Sequence, residues 1–126
     1  MNISITFVDE AIVVPKLSLE SREIGAVVEF HGLVREMEGE LALEGLRYEA
    51  YHQMAKKILR RHFVELGELH GCIAVEFIHR LGWVPVGEGS LYIRVHSVHR
   101  GEALRFLADA IDRLKLDVPI WKRVDQ

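Results

Sequence analysis

The sequence is poor in cysteine. Cys72 stands alone among 126 residues, so no disulfide can form within the chain, and a reducing compartment is expected. No apolar stretch approaches the ~20 residues needed to cross a bilayer. The first residues also lack the basic flank and apolar block of a secretory signal. The expectation is a cytoplasmic protein with no membrane partner. Neither sign of charge dominates: the net charge is −3, which leaves no basic footprint for nucleic acid. The chain has no H-E-x-x-H pair, no second cysteine for a zinc set, no phosphate-cradling G-x-x-x-x-G-K-[ST], no G-x-S-x-G and no Rossmann glycine pattern. No metal and no cofactor of its own are expected. The three prolines, Pro15, Pro85 and Pro119, are scattered, and no linker interrupts the chain. The sequence therefore reads as a single domain, residues 1–126.

What is present is alternation and helical spacing. "NISITFVD", "AVVEFHGLVR", "GLRYEAY", "CIAVEFIHR" and "SLYIRVH" carry the period or the β-branched content of strands. Ala55, Ile58, Leu59, His62, Leu66 and Leu69 recur at helical spacing and predict a helix over 52–69. A second stripe, Ala103, Leu104, Leu107, Ala110, Ile111 and Leu114, predicts a helix over 99–116, with Ser97 as its N-cap. Pro119 cannot continue it. "PKLSLESRE" reads as a short helix, "EMEGELALE" as a polar turn around Gly39, and "LGWVPVGEG" as a loop or irregular hairpin. The order β-(α)-β-β-α-β-β-α predicts an α+β domain, two main helices on one face of a largely antiparallel sheet.

Basic residues supply the candidate chemistry. His99 and Arg100 fall in the first turn of the last helix, where exposed N–H groups favour an anion. Lys115 falls on its last turn, a position the helix dipole also favours for an ordinary surface cation. Lys122 follows Pro119 and Trp121, which would pin it. Arg35 closes an apolar strand at a loop, a common place for binding residues. Cys72 opens an apolar strand and reads as a small core residue rather than a nucleophile.

The stretches "GAVVEFHGLVRE", "LRYEAYHQMAKK", "IHRLGWVPVGEGSLYIRVHSVHRGEA" and "AIDRLKLDVPIWKR" together resemble the large, catalytic subunit of molybdopterin synthase, in family order from Gly25 to Arg123. The resemblance implies an α/β-hammerhead type of α+β fold. It implies a homodimer, each subunit of which binds a small ubiquitin-like sulfur-carrier subunit, giving a heterotetramer. The carrier's C-terminal Gly-Gly tail would enter as a thiocarboxylate. Two sulfur transfers would convert cyclic pyranopterin monophosphate to molybdopterin, the dithiolene ligand of the molybdenum cofactor. By the same resemblance Lys115 and Lys122 match the family's essential lysines, and Arg35, His99 and Arg100 its anion-binding residues. Such a sulfurtransferase needs no persulfide cysteine, because the carrier brings the sulfur.

Two departures stand out. Family members continue past the Trp-Lys, whereas "VDQ" follows it here, and the loop after Arg35 reads "EMEGE" where an Asn is usual. Glu36, Glu38 and Glu40 repel a phosphate unless they point away. The alternative reading is a non-catalytic paralogue that binds the carrier tail or regulates the complex; a weaker one is a small anion-binding or nucleotide-binding domain.

Overall fold

The computed structural model describes residues 1–124; Asp125 and Gln126, part of the "VDQ" departure, lie outside them. Strands β1 (Asn2–Val8), β2 (Ala26–Leu33), β6 (Ala74–Arg80) and β8 (Gly89–Ser97) form the main sheet in the order β1-β6-β8-β2. β1 pairs with β6 in parallel; β6–β8 and β2–β8 are antiparallel. Helices α1 (His52–His70) and α2 (Arg100–Asp117) cover one face. Alternation explains the packing. Val75, Phe77, Ile93 and Val95 meet Leu59, Phe63, Leu66, Phe106 and Ala110 of the helices in one buried cluster. The intervening Glu76, Arg94 and His96 turn to the opposite face.

That opposite face corrects one expectation. Residues 15–23 form no helix. Leu17 and Leu19 are two apart and half exposed, so no helical stripe exists to bury. The segment instead lies extended over the charged face. The Pro15 carbonyl accepts a hydrogen bond from Arg94 Nη2 at 2.6 Å, and the Glu20 carboxylate lies 3.0 Å from His96 Nδ1.

A second sheet forms beside the first, in the order β7-β5-β9, from β5 (Gly45–Ala50), β7 (Gly82–Pro85) and β9 (Ile120–Arg123). The sequence predicts only a loop or irregular hairpin where β7 lies, and no strand where β9 lies. Each is four residues long and owes its conformation to β5, with Tyr48 paired to Gly82 on one side and Lys122 on the other. Gly82 has φ 82°, a left-handed turn that suits glycine and redirects the chain from β6 into β7. The polar turn around Gly39 is a two-stranded hairpin, β3 (Met37–Glu38) with β4 (Leu41–Ala42).

The N-cap of α2 is His99, not Ser97. Ser97 still belongs to β8, is fully buried, and donates its hydroxyl to the His99 carbonyl. Glu102 takes over the capping chemistry, accepting from the His99 backbone N–H at 3.1 Å.

Candidate active site

Lys115 and Lys122 come from different elements and line the same cleft. α2 ends beside the second sheet, and the space between them has a volume of 560 Å³, within the range of small-molecule sites. Phe30, Tyr48, His79 and Trp121 contribute to its walls. Lys115 reaches it from the last turn of α2, next to Ile111 and Leu114. Lys122 reaches it from β9, whose register opposite Tyr48 fixes the direction of the side chain. Trp121, also a wall of the cleft, packs its ring 5.1 Å from that of Tyr51. The indole is 38% exposed, not the buried wedge expected to pin Lys122, and it touches the N-cap residue of α1.

Lys122 is not bare. Its Nζ lies 2.8 Å from Glu38 Oε1 on the small hairpin. The hydrogen bond from Lys122 and its charge, with a further contribution from Arg35, hold the Glu38 carboxyl below the usual carboxylate range. Glu38 therefore points toward the cations. Arg35, exposed in the link between β2 and β3, belongs to the same neighbourhood.

His79 is a wall residue that sequence reasoning passed over. It is buried, and its Nδ1 lies 2.8 Å from the Arg80 carbonyl. A carbonyl only accepts, so Nδ1 carries the proton and Nε2 keeps a free lone pair. Burial pushes its pKa down to about 4, so the imidazole is neutral near pH 7. Its ring meets Tyr48 edge to face at 5.1 Å. The signal was available: His79 follows Val75 and Phe77 in the alternation of β6, and so shares their inward face.

His99 and Arg100 lie elsewhere. They line a hollow of 440 Å³ with Gly25, Ala26, Val98 and Gly101, at the opposite end of α2. His99 is largely exposed, and its ring Nδ1 is 3.2 Å from Glu102. The 18 residues of α2 span about 27 Å. One protomer thus brings Lys115, Lys122 and Arg35 into one region and leaves His99 and Arg100 far from them.

Two other features compete for attention. A larger hollow, 800 Å³, lies beside Phe7 and His52, but Asp9 and Glu10 are among its walls and suit no anion. Glu20, Glu76 and His96 gather ligand-type atoms on the charged sheet face. There the two carboxylates face different ring nitrogens, Nδ1 at 3.0 Å and Nε2 at 3.2 Å, and Arg94 also bonds Glu76 at 3.2 Å. The Arg94–Glu76 ion pair, the Arg94–Pro15 hydrogen bond and the Glu20–His96 contact tie residues 15–23 to the sheet.

Cys72 is buried, donates to the Glu102 carbonyl, and is absent from the cleft walls. Burial raises its pKa to about 11, which makes it an inert thiol.

Comparison with known proteins places this geometry in a family. Residues 7–117 match the family described as MoaE protein. The chain is 38% identical over 105 residues to the molybdopterin synthase catalytic subunit of Bacillus subtilis, covering 83% of this chain and 67% of that one. It is 44% identical over 102 residues to the Arabidopsis thaliana protein of the same name, covering 80% of this chain and 51% of that one. The chain thus spans about half the length of the curated plant relatives it matches. The crystal structure of molybdopterin synthase from Staphylococcus aureus superposes with a TM-score of 0.82 at 36% identity, over 94% of this chain and 88% of that one. The chain belongs to the MoaE protein family.

Proposed function

We propose that this chain is a catalytic subunit of molybdopterin synthase, transferring sulfur from a thiocarboxylated ubiquitin-like carrier to cyclic pyranopterin monophosphate. One observation carries the reading: two lysines from separate elements face one cleft, and the chain's only thiol is buried away from it. A sulfur transferase built this way takes its sulfur from outside. Each transfer moves one sulfur to the pterin and leaves the carrier tail as a carboxylate, its oxygen supplied by water. Lys122 neutralises the tail and stabilises oxyanion charge as the acyl carbon is attacked. Lys115 assists proton transfer or positions the pterin.

In this reading Arg35, His99 and Arg100 hold anionic groups of the substrate, His99 and Arg100 with the N-terminus of α2. Because α2 separates the last two from the lysines, they act on the cleft of a partner subunit in a homodimer, with one carrier bound to each large subunit. We place the reaction in the cytoplasm, on the single reduced cysteine and on the finding that no described helix is long and apolar enough to cross a membrane.

The test is direct. The protein is incubated with thiocarboxylated carrier and cyclic pyranopterin monophosphate, and dithiolene product is measured. Product at a rate set by enzyme concentration is expected. Carrier binding without product would point instead to a non-catalytic paralogue.

A further inference from the structure

We propose that Glu38 is a resident competitor for the Lys122 subsite, and that it tunes this subsite to a carboxylate-type chain end rather than a phosphate. The inference rests on the functional reading above and names what Lys122 receives.

Glu38 Oε1 stands 2.8 Å from Lys122 Nζ, where an incoming anion would have to sit. A side-chain carboxylate and a chain-end carboxylate or thiocarboxylate share a planar shape and a single negative charge. The lysine ammonium in the free protein therefore already holds a close mimic of that ligand.

The contact is built to be displaced. Lys122 and Glu38 are 48% and 34% exposed, so their attraction is weak and screened by salt. Glu38 rides on the β3–β4 hairpin, which among the described residues forms a sheet of its own, through Met37↔Ala42 and Glu38↔Leu41. Met37 and Leu41 are exposed, so little apolar burial fixes the hairpin's position. A tail anchored by its own protein outcompetes Glu38 and moves the hairpin aside.

The hairpin also discriminates by charge. Glu36 and Glu40 flank Glu38 and are exposed. Their field disfavours a dianionic phosphate about twice as strongly as a monoanionic carboxylate, because Coulomb energy scales with the product of charges. Phosphate is thereby steered away from Lys122, and a chain end is admitted.

The experiment uses Glu38→Gln, which keeps shape and removes charge, with unchanged thermal stability as the control for folding. The probes are a synthetic carrier-tail peptide ending in a Gly-Gly carboxylate and, separately, inorganic phosphate, each titrated calorimetrically. Glu38→Gln is expected to gain phosphate affinity, because a dianion feels the lost charge about twice as strongly, and to bind the peptide about fivefold tighter. In a Lys122→Ala background the peptide gain disappears. Unchanged or weaker peptide binding by Glu38→Gln overturns the proposal, as does an unchanged affinity for phosphate or a peptide gain that survives Lys122→Ala. If Lys122→Ala weakens the peptide while Glu38→Gln does not strengthen it, only this inference fails. If Lys122→Ala leaves peptide binding untouched, the tail does not meet Lys122, and the role given to that lysine fails as well.

Discussion

Helix α2 carries basic residues at both ends, and the two ends are built differently. At its C-terminus Lys115 looks into a walled cleft, opposite Lys122, with an aromatic and a neutral histidine behind them. At its N-terminus His99 and Arg100 stand exposed over a shallow hollow, and the helix pole there is already met by Glu102. Positive charge and a hollow are common to both ends; aromatic walls, and cations brought from two elements, are found only at the first. The difference teaches that the cation set of this protein is divided: one end of α2 faces the cleft with Lys122, and the other presents its cations outward.

The largest test of that division is Lys122→Ala. Removing the ammonium at the enclosed end should lower sulfur transfer by about 100-fold or more while leaving carrier-free thermal stability unchanged. Near-normal product formation would dissolve the contrast between the ends. The next test joins them. Lys122→Ala and Arg100→Ala homodimers, each inactive, are mixed and allowed to exchange subunits. If the ends meet across a dimer, one site in each mixed dimer is whole, and about a quarter of wild-type activity returns. No recovery would confine both residues to the same protomer's chemistry.

Smaller effects sharpen the comparison through the buried titratable group near each end. At the enclosed end His79 has its folded pKa lowered from 6.5 to about 4 by burial. The unfolded chain then binds the extra proton first. Stability is full above pH 6.5, falls as pH drops, and by about pH 4 has lost about 3 kcal/mol from this group. Urea midpoints of the wild type should fall over this window, and His79→Gln should flatten that part of the profile. At the open end Cys72, raised to about 11, should resist iodoacetamide at pH 8 in the folded state, and Cys72→Ala should keep turnover within about twofold of wild type. Rapid alkylation of native protein, followed by mass spectrometry, would contradict the buried placement.

Much of this was legible in the sequence where a residue's own pattern decides its state. The strands of the main sheet and both long helices emerged within a few residues of their observed bounds, because alternation and helical stripes are local signals. β7 and β9 did not emerge as strands. Four residues carry too little pattern, and pairing with β5 is a tertiary fact. Residues 15–23 failed for a related reason: their partners are Arg94 and His96, far along the chain. At the site, the lysine pair was readable and its counter-ion was not. Glu38 was noted only as a repulsive charge, since nothing local says that the hairpin folds it onto Lys122. The separation of Arg100 from Lys115 was readable in principle. Fifteen positions along one helix amount to about 22 Å, whatever the rest of the chain does.

Among the described residues, strand β9 has a neighbouring strand, β5, on one side only. Four residues held along a single edge detach far more readily than a buried core dissolves. Each such detachment withdraws an indole from its tyrosine and an ammonium from the cleft in one event. Warming the protein should therefore draw Lys122 out of the cleft while the helices and main sheet are still intact.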